Sequence, residues 1–280
     1  MTRTWLITGV NSGFGREMAR QLLARGDRVA GTVRRAEAVG DLQTKYGEQL
    51  WIGVLDVTDF TRIATVVDRA FAELGRIDVV VNNAGYALFG PVEGLTSEQI
   101  RHQIDTNLLG PIHVAKAVLP HLRAQGGGRL LAMSTYGGQA ALPGASMYHA
   151  GKWGLEGFFD SLAFEVAPFG IQVTILEPGG AGTSFRETAA AQMAADLEAY
   201  SDTPVGALRA RLQDASRPPI GDIAKMVGIM IGSVDQDPAP RRIALGSDAF
   251  SAIVGALQAR LSALQAQKKL AQSTDLRVSD

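Results

Sequence analysis

Hydrophobic and polar positions follow two rhythms along this chain. Short β-rich runs recur at Thr4–Thr8, Arg28–Val33, Leu50–Leu55, Val79–Asn82, Arg129–Ser134, Val173–Glu177 and Arg242–Leu245. Between them lie longer stretches such as GREMARQLLARG (15–26) and TRIATVVDRAFAELG (61–75), each closed by glycine, which is helical spacing with a helix stop. Strands alternating with helices predict an α/β fold, a mostly parallel sheet of seven strands with helices on both faces. No linker interrupts the pattern, so residues 1–280 are expected to form a single domain.

Two places break the rhythm. TSEQ (96–99) has the form of a capping box opening a long helical region. The stretch at about 184–219, alanine-rich and carrying Pro204, Pro218 and Pro219, adds helices where only a loop is needed. That predicts a lid over a site. MVGIMIG (226–232) reads as a buried helix, and the polar tail from about Lys268 is expected to fray.

Composition narrows the function. Of 280 residues, 46% are hydrophobic and 20% charged, and the net charge of −1 offers nothing to nucleic acid or an anionic membrane. No run approaches the roughly 18 apolar residues of a membrane span, and the N-terminal apolar stretch is too short for a signal sequence. With no cysteine, disulfides, thiolate nucleophiles and Cys-based zinc sites are excluded, which is compatible with a cytoplasmic setting. His102, His113, His121 and His149 have no metal-ligand spacing, so no metal is expected.

The first strand runs into TGVNSGFG, Thr8 to Gly15, and then a helix. Here Gly9 permits a tight turn, Gly13 lets the backbone approach a pyrophosphate, and Gly15 allows close helix–strand packing. Asn11, Ser12 and Phe14 complete the turn, and the helix start offers free N–H groups to negative charge. The second strand ends in Val33, Arg34 and Arg35, where an acidic residue would select the ribose hydroxyls of NAD. Arginines there suit a 2′-phosphate, so NADP is preferred over NAD; the plainer alternative is two surface arginines at a strand end.

These features, with LDV (55–57), NNAG (82–85), Asn107, YHAGK (148–152) and PGGAGT (178–183) in this order, resemble the short-chain dehydrogenase/reductase family from Thr4 to about Ser184. The resemblance implies a Rossmann-type doubly wound fold and an NAD(P)-dependent oxidoreductase. It implies that Asp56 and Val57 flank the adenine, that Asn83, Ala84 and Gly85 line the adenosine side, and that Pro178, Gly179 and Thr183 meet the nicotinamide end. It also implies a homo-oligomer, dimer or tetramer, paired through the helices near 97–124 and 149–167.

Tyr148 and Lys152 are four apart and share a helix face. An ammonium beside a phenol is expected to lower the phenol's pKa, making Tyr148 a usable general acid; the resemblance gives Lys152 a second task, holding the nicotinamide ribose. Pro111 has no N–H for the carbonyl of Asn107 four residues back. That carbonyl is expected to stay free for a water, which in the family belongs to a proton relay. The family places a serine thirteen residues before its tyrosine, and counting back from Tyr148 reaches Thr135. Threonine keeps the hydroxyl but adds a methyl. Ser134 is expected to point the other way, and Gly151 stands where the family often has serine.

The reading is a carbonyl reductase or alcohol dehydrogenase acting on a ketone, aldehyde or alcohol with NADP(H). Its rival is an NADP(H)-binding sensor that kept the fold and lost the chemistry. GASMY (144–148) cannot be a hydrolase elbow, because Tyr148 stands where glycine is required. Phe185, Met193, Leu197 and Tyr200 in the lid either face an apolar substrate or pack on the domain.

Overall fold

The structure, a computed structural model, describes residues 2–182, 185–214, 216 and 220–276. Its strands are β1 (Thr4–Thr8), β2 (Arg28–Val33), β3 (Leu50–Val54), β4 (Val79–Asn82), β5 (Gly128–Met133), β6 (Ile171–Pro178) and β7 (Arg242–Leu245). The helices are α1 (Gly13–Ala24), α2 (Gly40–Tyr46), α3 (Phe60–Leu74), α4 (Ser97–Ile104), α5 (Gly110–Ala124), α6 (Ser146–Val166), α7 (Phe185–Ala191), α8 (Pro204–Gln213), α9 (Ile223–Gly232), α10 (Ser247–Ala266) and α11 (Lys268–Gln272). All pairings are parallel, in the order β3-β2-β1-β4-β5-β6-β7. The expected Rossmann-type sheet is therefore present, and the order reverses between β1 and β4, where such sheets open a crevice at their carboxyl ends.

Successive strand residues face opposite sides, and here each side has its own core. Leu6, Val80, Leu130, Ala132, Val173 and Ile175 pack with Ile63, Val67, Val114, Val118, Leu155 and Phe159 of α3, α5 and α6. Trp5, Ile7, Val79, Val81, Leu131 and Leu176 pack with Met18, Leu22, Val227 and Met230 of α1 and α9. Double-sided burial explains why the strands read as unbroken apolar runs.

The capping box is formed: Thr96 Oγ1 accepts from Gln99 N at 3.1 Å, and Gln99 Oε1 accepts from Thr96 N at 2.9 Å. The C-terminal tail differs from expectation. It is helical through α11 although exposed throughout, because alanine, glutamine, lysine and leucine all favour helix.

Candidate active site

The glycine turn after β1 is held from two sides, by β2 and by the loop after β4. Gly9 and Gly13 have positive φ of 75° and 55°, a region open to glycine without a Cβ clash. Gly9 N and Val10 N donate to Thr32 O at 3.0 and 3.1 Å. Asn83 Nδ2 donates to Thr8 O at 2.8 Å and to Gly9 O at 3.1 Å, while Thr8 Oγ1 accepts from Asn83 N and Ala84 N, both at 3.0 Å. The Asn83 amide thus clamps the turn of β1 to that of β4. Thr8 is its partner, and nothing in the glycine pattern had marked it. Phe14 is partly buried against the α1–α9 core, while Asn11 and Ser12 stay exposed.

Beside this turn, Asp56 Oδ1 accepts from Thr58 N at 2.9 Å and Thr58 Oγ1 at 2.8 Å. Burial works to raise its pKa, but these bonds, with the charges of Arg34 and His102, hold it below the usual carboxylate range. Arg34 and Arg35 are exposed at the end of β2, and Val57 is buried beyond β3. Arg16 is occupied by Asp41 at 2.5 Å.

Asn107 lies in a π-turn spanning Asp105–Leu109, between α4 and α5. The helix break expected from Pro111 therefore takes the form of one wide turn, with Gly110 N donating to Asp105 O. The Asn107 side chain is fully buried, accepting from Tyr86 N at 3.0 Å and donating to Tyr86 O at 2.6 Å. It fixes the chain just after Gly85.

Thr135, Tyr148 and Lys152 meet at the end of β5. Thr135 is extended, with φ −167° and ψ 164°; its Oγ1 donates to Pro178 O at 3.2 Å and is hydrogen-bonded to the Tyr148 hydroxyl. Lys152 Nζ donates to Met133 O at 2.8 Å. Ser134 is not idle: its Oγ donates to Glu156 Oε1 at 2.5 Å. Sequence reasoning missed Glu156, although it lies one helical turn beyond Lys152 and two beyond Tyr148 on the same face.

The electrostatics correct one expectation. Burial lifts the Tyr148 pKa well above the ordinary phenol value, outweighing the hydrogen bond to Thr135. The Lys152 ammonium is directed to Met133 O and is itself buried. Desolvation lowers the Lys152 pKa to about 8 against the opposing pull of Glu156.

Above these groups the 185–213 segment contributes an apolar roof. Ala189, Met193, Leu208 and Leu212 pack with Phe89, Ala145, Leu142 and Tyr148. Ala194 N donates to Phe89 O at 2.8 Å and Ala195 N to Gly94 O at 3.0 Å, so the segment is pinned to the loop after β4. Ala181 and Gly221 form a parallel bridge at its base. Of the four lid residues singled out, Met193 joins this cluster; Leu197 and Tyr200 do not, and the Phe185 side chain is outside what the structure describes, as are Thr183, Pro218 and Pro219. Gly179 is packed against Asp248, whose Oδ2 accepts from Gly180 N at 2.8 Å.

The arrangement fits a dinucleotide. A Cβ on Gly15 would lie 2.3 Å from Gly9 O, and one on Gly85 2.9 Å from Asn107 Oδ1 and 3.6 Å from Lys152 Nζ. Both glycines thus let the backbone pack closely, Gly15 against the turn and Gly85 against Asn107 beside Lys152. Buried Asn82, at the end of β4, has neither side-chain polar atom bonded within the described residues. Among the described residues there is no group of three or more histidine or acidic side chains that could hold a metal, and no helix long and apolar enough to cross a membrane.

Comparison with known proteins agrees with this geometry. Residues 3–194 match the family model described as short chain dehydrogenase. An oxidoreductase of Botryotinia fuckeliana, BOA17, is 38% identical over 250 residues, covering 89% of this chain and 90% of that protein. A short-chain dehydrogenase structure from Streptomyces avermitilis is 38% identical with a TM-score of 0.89, covering 98% of both chains. A gluconate 5-dehydrogenase from Burkholderia cenocepacia, solved with NADP and tartrate, is 27% identical with a TM-score of 0.74, covering 89% of this chain and 96% of that one.

Proposed function

The chain belongs to the short-chain dehydrogenase family and is an oxidoreductase that uses a nicotinamide cofactor, and from that premise we propose that it couples NADP(H) to the interconversion of a ketone or aldehyde and its alcohol. The observation that carries this reading is the convergence of the Thr135, Tyr148 and Lys152 polar groups under an apolar roof at the carboxyl edge of the sheet. The nicotinamide ring supplies or takes up the hydride when bound.

The protein's residues do the rest. Gly9–Gly15 cradle the pyrophosphate at the start of α1, and Arg34 pairs with the 2′-phosphate. Asp56 and Val57 border the adenine, Asn83–Gly85 the adenosine side, and Pro178 and Gly179 the nicotinamide end. Tyr148 and Thr135 hold the carbonyl oxygen, and Tyr148 gives it a proton as charge develops. Burial raises the Tyr148 pKa, so the phenol carries the proton it donates. Lys152 holds the nicotinamide ribose and, with a water on the Asn107 carbonyl, returns the proton to Tyr148. Segment 185–213 acts as the lid, and its apolar lining favours an apolar substrate. Pairing of copies through α4–α5 and α6 and a cytoplasmic site of action belong to the same proposal.

The test is NADPH oxidation with ketones and aldehydes of graded size, run beside NADH. Turnover with a lower KM for NADPH supports the reading. Tight NADPH binding with no turnover on any carbonyl favours the sensor instead.

A further inference from the structure

Three consecutive residues of one strand end are matched to three residues of one helix face. Thr135 meets Tyr148 through its hydroxyl, Met133 O accepts from Lys152 Nζ at 2.8 Å, and Ser134 Oγ donates to Glu156 Oε1 at 2.5 Å. On α6 these partners stand at i, i+4 and i+8, one above another. The first two contacts belong to the proposed chemistry, and the third has no part in it.

Glu156 is an expensive residue to keep in this place. It is 3% exposed, and an apolar side chain of similar size would fill the space without desolvating a carboxylate. Instead the surroundings are built to hold it. Arg242 Nη2 reaches Glu156 Oε2 at 3.3 Å and Asp160 Oδ2 at 2.5 Å, and Arg242 Nε lies 3.2 Å from Glu177 Oε1. Gly138 closes over the pair: a Cβ there would come 1.8 Å from Glu156 Oε1 and 2.6 Å from Ser134 Oγ. No larger residue could let the 136–138 turn pass so near the carboxylate.

We propose that Glu156, through Ser134 and Arg242, is a positioning residue that locks α6 in register with the end of β5 and supports the Lys152 ammonium electrostatically. The inference rests on reading Lys152 as part of the working site. The charged groups around the carboxylate are Lys152 and Asp160 from α6, Glu177 from β6 and Arg242 from β7. From β5 and the 136–138 turn it meets only the neutral Ser134 and Gly138. Burial, with Glu177 close by, raises the carboxyl's own pKa, and Arg242 opposes that. Where ionised, Glu156 helps Lys152 keep its proton against burial.

The test compares Glu156→Gln, Ser134→Ala and Ser134→Thr in the full chain. Carbon NMR of labelled lysine reads the Lys152 titration directly, with and without NADP+, and needs no turnover. In Glu156→Gln the Lys152 midpoint should fall, and the alkaline limb of kcat should move to lower pH with it. In Ser134→Ala kcat should drop about tenfold with KM for NADPH unchanged, and Ser134→Thr should recover most of the loss. An unaltered Lys152 titration in Glu156→Gln together with a normal kcat in Ser134→Ala would overturn the proposal. So would variants that lose thermal stability alone, the mark of a purely structural ion pair. Should Glu156→Gln fail to fold, the Ser134 pair decides, a normal kcat and pH profile in Ser134→Ala counting against it. A wild type inactive on every carbonyl but with the Lys152 shift present would sink the reductase reading and leave this one standing.

Discussion

The Thr135 hydroxyl donates to the carbonyl of Pro178 at 3.2 Å while also bonded to the hydroxyl of Tyr148. A hydroxyl has one proton, so a substrate oxygen and Pro178 compete for it. The added methyl, which lies near Gly137, limits the rotamers through which Thr135 can turn from one to the other.

Thr135→Ser should therefore be at least as active as the parent, and Thr135→Ala should lose about 10²–10³ in kcat, the usual effect of removing one oxyanion donor. Steady-state kinetics on the best carbonyl found in the screen will decide. Equal activity of the alanine variant would remove Thr135 from the chemistry.

Tyr148→Phe should cost about 10²–10⁴ in kcat, the range for a lost general acid. NADPH affinity, followed by fluorescence titration, should stay within a few-fold of the parent. A sensor would be indifferent to the change.

Lys152 predicts a pH dependence with a definite sign. Its folded pKa, lowered from 10.5 to about 8, means that activity relying on the ammonium falls as pH rises through about 8. For stability, the cost of the buried charge is fully present below about 8 and is relieved between there and 10.5, since the unfolded chain binds the proton more tightly over that window. Lys152→Met should accordingly raise thermal stability at pH 7, by roughly 1–2 kcal/mol after the lost bond to Met133 O is counted, while abolishing turnover. Calorimetry across pH checks both signs.

Arg34→Ala should raise KM for NADPH about 10- to 100-fold, as expected for losing charge-assisted bonds worth about 1.5–3 kcal/mol, and leave KM for NADH nearly unchanged. Parallel losses with both cofactors would show that Arg34 does not read the 2′-phosphate.

Gly90 has a φ of 129°, and a Cβ there would lie 2.5 Å from the Ala194 Cβ. Gly90→Ala should loosen the lid's attachment, raising substrate KM with little change in NADPH affinity. Limited proteolysis between α7 and α8 should speed up accordingly.

Much of the fold was legible because a sheet buried on both faces writes itself as plain apolar runs; the bounds of β1, β2, β4 and β7 follow from the runs themselves. The site was legible only in part. Tyr148 and Lys152 stood out by their spacing and Asn107 and Thr135 by resemblance, and the structure brings Thr135, Tyr148 and Lys152 to the end of β5. The titration of Tyr148 could not, because it depends on burial under Phe89 and the lid, which lie far away in sequence. Glu156 carried a periodic signal, but its partners Arg242 and Glu177 come from β7 and β6 and meet it only once the sheet is assembled. Asn83 stood out only by resemblance, and the clamp its amide makes on Thr8 O and Gly9 O depends on β1 and β4 lying side by side.

The bridge between Ala181 and Gly221 brings together the two ends of the segment that carries α7 and α8. Such a segment behaves as an interchangeable cassette, since a replacement of different length closes the same short gap at little extra entropy. On the proposed reading, such an exchange rebuilds the roof over Tyr148 and leaves the Gly9–Gly15 turn as it is. On that reading, substrate choice diverges through this segment while the glycine turn and the register of α6 on β5 stay as they are.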